Sequence, residues 1–259
     1  MNAATVTYAD VLAARDQLGS LVRPTPMLHS RVLSERLGTT VLLKCENLNR
    51  AGSFKIRGAF TRISRLSQEE KSRGVVAASA GNHAQGVALA SQKLGIAAKV
   101  YMPVGASMPK LNATRGYGAT VEQFGATLDE AIVKAQAYAA QTGAVFIHPF
   151  DHPDIVAGQG TCGLEIVEQC PEVKTVVVSL GGGGLLAGVA LAMRELRPEA
   201  GIVGVQAEAA AAYPMSLAAG HPIAADKMAT MADGIAVGLP YSQSIGTSAY
   251  RSLDAIWKR

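Results

Sequence analysis

Residues 175–193 read TVVVSLGGGGLLAGVALAM, an uncharged stretch long enough for a hydropathy window to offer it as a membrane-spanning helix. Four consecutive glycines at 181–184 break that reading, because each costs about 1 kcal/mol inside a helix relative to alanine. Before them Val176, Val177 and Val178 are β-branched and suit a strand, and from Leu185 onward the residues are helix formers. The stretch predicts strand, glycine loop and helix in succession. Working outward, short apolar runs of strand length recur at 41–45, 75–78, 98–102, 120–124, 145–148, 174–180 and 202–206. Helical patterns separate them: 54–66 places Ile56, Phe60 and Ile63 on one face, and 128–140 is closed by Gly143. Strands alternating with helices of this length predict an α/β fold of parallel sheets covered on both faces. No repeat or low-complexity linker interrupts the pattern.

Composition narrows the function. With 259 residues, 49% apolar and 17% charged, the chain can bury one large core or two modest ones. The net charge of +4 comes from 24 basic and 20 acidic residues scattered throughout, and only 5% of residues are aromatic, so nucleic acid is not the expected partner. Cys45, Cys162 and Cys170 form no CxxC pair and leave an odd count, which suits core thiols in a reducing, cytoplasmic compartment. The opening MNAATVTYADVLAARDQLGS lacks a cationic start followed by an apolar core, so neither a secretory signal nor a membrane partner is expected.

Open parallel sheets place their ligands at strand ends, and three loops there stand out. In ENLNRAGSFKIRGAF (46–60), Ser53 reads as an N-cap and Lys55 falls in the first helical turn, the end that disfavours cations. In SAGNHAQG (79–86), small residues and the exposed N–H groups of a helix start suit a carboxylate, with Asn82 adding an amide. The same loop also reads as a plain turn capped by Asn82. In SLGGGGLLAG (179–188), a glycine run after a strand frees N–H groups for a phosphate. It lacks the Lys-Ser/Thr ending of a nucleoside-triphosphate loop, and no GxGxxG follows the first strand, so both nucleotide readings lose ground.

A lysine, a carboxylate loop and a phosphate loop are what a pyridoxal-phosphate enzyme acting on an amino acid requires. SFKIRGA, SAGNHAQG, HPFDHPDIVAGQGT and GGGGLLAG, in order between about 25 and 238, resemble the threonine dehydratase and serine racemase family. GVQAEAAAAYPMSLAAG and TMADGIAVG look most like a biosynthetic threonine dehydratase. The resemblance implies a fold-type II α/β enzyme, related in fold to the tryptophan synthase β subunit, with two domains. Residues 1–71 and 151–259 would form the larger, cofactor-anchoring domain, and 72–150 the smaller one carrying the carboxylate loop. It further implies that Lys55 holds pyridoxal phosphate as an imine, Phe54 packs against it and Asn82 touches its phenolic oxygen. The backbone of Gly181, Gly182, Gly183, Gly184 and Leu185 would hold the phosphate, and Ser79, Ala80, Gly81, Asn82 and His83 would line the substrate carboxylate pocket. The implied reaction is deamination of L-threonine, and of L-serine, to 2-oxobutanoate or pyruvate and ammonia, the first step of isoleucine biosynthesis. Lys55 would act as the base, the cofactor phosphate would protonate the leaving hydroxyl, and the full-length chain would be a homo-oligomer.

Rival readings remain. Serine racemase is the nearest and a β-replacement enzyme of the cysteine synthase type more distant. Ala80 stands where racemases resemble one another in carrying a serine base, and a methyl group cannot exchange a proton. No metal site is expected: His148 and His152 are four apart, but Pro149 and Pro153 exclude a shared helix face, and Glu208 is the lone acid in VQAEAAAAYP, where some family members hold a cation. The resemblance implies that the HPFD segment is a structural loop near the domain junction. After Gly238 the resemblance stops at LPYSQSIGTSAYRSLDAIWKR, so the chain is expected to be carboxyl-terminally incomplete, through truncation or a frame shift. The lost portion would have supplied a partner for the pyridine nitrogen, further strands and any regulatory domain. A non-catalytic remnant is the corresponding alternative.

Overall fold

The computed structural model describes residues 6–225, 228–240 and, as backbone alone, 255–258. Thr7 and Asp10 close a capping box that starts helix α1 (Tyr8–Leu18). A short antiparallel pair, β1 (Met27–His29) and β2 (Leu42–Lys44), flanks α2 (Arg31–Leu37). Helices α3 (Lys55–Ser64) and α4 (Gln68–Arg73) lead into β3 (Val75–Ala78), α5 (Asn82–Leu94), β4 (Ala98–Met102), α6 (Met108–Gly116), β5 (Thr120–Gln123), α7 (Leu128–Thr142) and β6 (Val145–Phe146). Their strands form one parallel sheet in the order β5-β4-β3-β6. A second parallel sheet, β7-β8-β9, is built from α8 (Pro153–Gln169), β7 (Thr175–Ser179), α9 (Gly184–Leu196), β8 (Gly201–Gln206), α10 (Tyr213–Ala219) and β9 (Ala255–Lys258).

The predicted strands at 75–78 and 98–102 coincide with β3 and β4. The antiparallel β1–β2 pair departs from the parallel pattern expected, because three-residue strands are too short for periodicity to reveal their pairing. The run 175–193 is divided as read, into β7, a loop and α9, and among the described residues no helix is long and apolar enough to cross a membrane. Cys162 and Cys170 are buried, but Cys45 is only half-buried, its thiol donating to Leu43 O at 3.4 Å, so the expectation of three core cysteines fails there.

Glycines set how the helices meet. A Cβ at Gly158 would lie 2.6 Å from Gly58 Cα, one at Gly163 would lie 2.8 Å from Ala192 Cβ, and one at Gly188 would overlap the backbone of Gly160 and Val156. Helix α8 therefore packs backbone to backbone against both α3 and α9. Because α3 begins at Lys55 and α9 begins at Gly184, α8 fixes the spacing of two of the three loops.

Side chains lock the same crossing. Arg57, 1% exposed, donates from Nε and Nη2 to Glu46, from Nη1 and Nη2 to Glu165, and from Nη1 to Thr161. Lys44 also pairs with Glu165, so two buried cations face two buried carboxylates and the network is neutral. The largest apolar cluster joins Leu18, Ile56 and Ile63 to Val75, Val87, Val100, Met102 and Ile147, running from α1 and α3 into the first sheet. A second gathers Val176, Val178, Leu186, Val189, Ile202 and Tyr213 around the second sheet.

Candidate active site

Lys55 is the first residue of α3, one position after the N-cap. That cap is Phe54, which makes no side-chain capping bond; Ser53, expected in the role, lies one residue earlier and its Oγ accepts from Lys55 N at 3.3 Å. The Lys55 ammonium donates to Pro149 O at 2.7 Å and stands 5.2 Å from the Phe54 ring centre. Among the described residues no carboxylate pairs with it. Burial without a counter-charge pushes the amine down to about 8, so a reactive neutral form lies within reach of ordinary pH.

The second loop is brought to Lys55 by a glycine. A Cβ at Gly86 would lie 3.1 Å from Lys55 C and 3.2 Å from Ile56 N, so α5 crosses the start of α3 at backbone contact. Its first residues are disposed differently from one another. Ser79 N donates to Tyr101 O, and Gly81 N donates to Ser79 Oγ at 3.1 Å. Asn82 is exposed at the helix start, where Gly81 is the N-cap and no side-chain cap is made, so the plain capped turn is not what forms. His83 is buried and its Nε2 donates to Ile147 O at 2.8 Å; burial and the Lys55 charge push it down to about 3. Ala80 is half-buried.

The third loop follows β7. Gly181 lies against Ile235, with 3.0 Å between its Cβ position and Ile235 Cα, and the Cβ position of Gly182 is filled by the Phe150 ring. Gly183 has φ 98°, a conformation that a side chain would strain. Gly184 opens α9, so the positive end of a helix faces the loop, and Leu185 is half-buried beside it. Tyr213, fully buried, donates from its hydroxyl to Gly182 O at 2.9 Å.

The structure also brings Lys110, which no sequence motif singled out, and His148, weighed in the sequence only as a metal ligand, to these loops. Lys110 Nζ lies 3.4 Å from the Cβ position of Gly81 and donates to Asp233 at 3.3 Å, tying α6 to the 3-10 turn Asp233–Ile235 beside Gly181. His148, on the turn after β6, accepts at Nδ1 from Phe150 N at 3.3 Å and Asp151 N at 2.8 Å, and burial pushes it down to about 4. His152 Nδ1 accepts from Asp154 N and caps α8. Both imidazoles thus spend Nδ1 on backbone, and among the described residues no three metal-ligating side chains gather. The histidines and prolines of HPFDHP were visible in the sequence; the meeting of Pro149 O with Lys55 was not.

These features fit pyridoxal phosphate. A buried amine with no acid partner suits an aldehyde, and a glycine run closed to any Cβ suits an anion at a helix start. The chain belongs to the pyridoxal-phosphate dependent enzyme family, whose family model matches residues 18–256. That match passes Gly238, the end of the sequence motifs, and takes in part of β9, so the family likeness runs further than the motifs do. Over 235 residues the chain is 49% identical to the L-threonine ammonia-lyase of Thermotoga maritima, covering 91% of this chain and 59% of that protein's length. The processed form of threonine deaminase isoform 2 from Solanum lycopersicum superposes with a TM-score of 0.91 at 39% identity, over 97% of this chain and 72% of that one. Maize serine racemase superposes with a TM-score of 0.92 at 33% identity, over 99% and 77%. The fold is the α/β fold of these fold-type II enzymes.

Proposed function

We propose that this chain holds pyridoxal phosphate on Lys55 and deaminates L-threonine, and L-serine, to 2-oxobutanoate or pyruvate and ammonia, serving the first step of isoleucine biosynthesis. The observation that carries the reading is the buried, acid-free amine of Lys55 at backbone contact with the carboxylate loop. The bound cofactor supplies an electron sink at the substrate α-carbon and a phosphate able to protonate the departing hydroxyl. The rest falls to the chain. Backbone N–H groups of residues 181–185 would hold the phosphate, Phe54 would pack against the ring and Asn82 would touch its phenolic oxygen. Residues 79–83 receive the substrate carboxylate; His83 offers only its backbone, since its ring is committed to Ile147 O. Lys55 Nζ would be the group that takes the substrate α-proton, for which an amine lowered to about 8 is suited.

Residues 72–150 form the smaller domain in this reading and 1–71 with 151–259 the larger, with substrate and cofactor between them. The continuous apolar cluster from α3 into the first sheet supports a close junction. The partner is a small amino acid, the setting cytoplasmic and the assembly of the full-length chain a homo-oligomer. Likeness to maize serine racemase favours one second reading, racemisation, but Ala80 offers no proton-exchanging group on the face opposite Lys55, which favours elimination. The test is to add pyridoxal phosphate and L-threonine to the purified chain. A visible band abolished by borohydride together with ketoacid release supports the proposal; a band without ketoacid means binding without catalysis, and no band refutes it. Ala80→Ser should add serine racemisation; efficient racemisation by the unsubstituted chain would reverse the assignment.

A further inference from the structure

Each of the three loops leans on a different residue of the segment 147–151, which lies between β6 and α8. His83, from the second loop, donates to Ile147 O at 2.8 Å, and Lys55, from the first, donates to Pro149 O at 2.7 Å. The Phe150 ring fills the space beside Gly182, and Phe150 O lies 3.0 Å from the Cβ position of Gly184, in the third. A segment outside regular structure can hold three elements in register only if its own shape is fixed.

The fixing group is the His148 ring. Its Nδ1 accepts the N–H groups of both Phe150 and Asp151, the side-chain-to-backbone closure that Asn and Asp make in turns. The Phe150 N–H and the Pro149 carbonyl belong to one peptide unit. In a trans peptide they point to opposite sides, so holding the N–H aims the carbonyl the other way, where Lys55 Nζ meets it. Edge-on contact with the Phe150 ring, at 4.7 Å between centres, seats that ring against the glycine loop. Since the backbone donates to Nδ1, Nε2 carries the ring proton, and burial keeps the imidazole neutral.

We infer that His148 is a positioning residue: it shapes the turn that aims the Pro149 carbonyl at Lys55 and seats Phe150 on the glycine loop, setting where the amine meets the cofactor. The inference rests on the reading of Lys55 given above. To test it, the full chain is mixed with pyridoxal phosphate, quenched with borohydride at intervals, and labelling of Lys55 is followed by peptide mass, with thermal unfolding run in parallel. His148→Leu keeps bulk but removes the Nδ1 acceptor that holds the Phe150 and Asp151 N–H groups, and should slow labelling on the order of tenfold. His148→Asn places an acceptor where Nδ1 was and should restore the rate to within about threefold. Labelling of the Leu variant at the unsubstituted rate, or an Asn variant as slow as Leu, overturns the inference. Should the Leu variant not fold, the Asn variant and amide exchange in the unsubstituted chain decide: protected Phe150 and Asp151 amides are expected, and rapid exchange at both refutes the turn. Failure of the unsubstituted chain to label Lys55 at all refutes the cofactor reading itself, a result distinct from those above.

Discussion

Replacing Lys55 by methionine should make the cofactor-free chain more stable while abolishing its labelling by pyridoxal phosphate. In the folded chain burial lowers the amine from 10.5 to about 8, a difference worth roughly 3 kcal/mol at about 1.4 kcal/mol per tenfold change in proton affinity. Below pH 8 the amine is protonated in folded and unfolded chains alike, and the whole cost of burying the charge is present. Between 8 and 10.5 the folded chain has released its proton while the unfolded chain has not, so the native protein gains stability as pH rises; above 10.5 the cost is gone. Methionine, of similar length, escapes that cost but forfeits the hydrogen bond to Pro149 O, an offset of about 1 kcal/mol. The variant should therefore be more stable by roughly 2 kcal/mol at pH 7, and that advantage should shrink by about 2 kcal/mol by pH 9.5. His83 and His148, held near 3 and 4, stay neutral throughout, and the Cys162 thiol, pushed by burial up to about 12, acts equally in both proteins. The assay is urea unfolding without added cofactor at several pH values. A methionine variant that is no more stable at pH 7, or whose advantage does not vary with pH, would refute the picture of an amine whose charge is buried at a cost.

Arg57→Met should cost about 3–5 kcal/mol at neutral pH, because Glu46 and Glu165 lose the shared guanidinium and only Lys44 remains among them. Denaturant titration should show that deficit narrowing as pH falls, since Glu46, held below its ordinary value in the native chain, gives up that stabilisation once protonated. Gly188→Ala should destabilise by more than 3 kcal/mol or prevent folding, since its Cβ would overlap the backbone of Gly160 and Val156. Gly234→Ala, with nothing within 4 Å of its Cβ position, should leave the thermal midpoint nearly unchanged, and similar effects of the two would refute the α8–α9 clamp. Gly86→Ala, pressing on Lys55 C and O, should weaken cofactor labelling more than it lowers the unfolding midpoint, as read by the two measurements on one sample.

Local chemistry alone determined most of the strands and the three loops. Val176 to Val178 before the glycine run and Leu185 after it could form little besides strand, loop and helix, and the residues that make SFKIRGA, SAGNHAQG and GGGGLLAG distinctive lie within a few positions of one another. Short elements escaped: β1 and β2 are too brief for periodicity, and the pairing of β9 with β8 depends on a partner some fifty residues away. The placing of the N-cap at Phe54 rather than Ser53 turned on backbone angles that composition does not specify. What only the tertiary structure decided is contact at long range. Arg57 reads as one more surface cation until α8 delivers Glu165 to it, and the glycines at 58, 86, 158 and 188 read as helix weaknesses until a second backbone occupies the space beside each. HPFD reads as a plain loop until Lys55, His83 and Gly182 arrive around it from separate elements. The physical reason is that periodicity and turn chemistry act between neighbours in the chain, whereas the lowered amine of Lys55 arises from burial, and burial is a property of everything packed around a group at once.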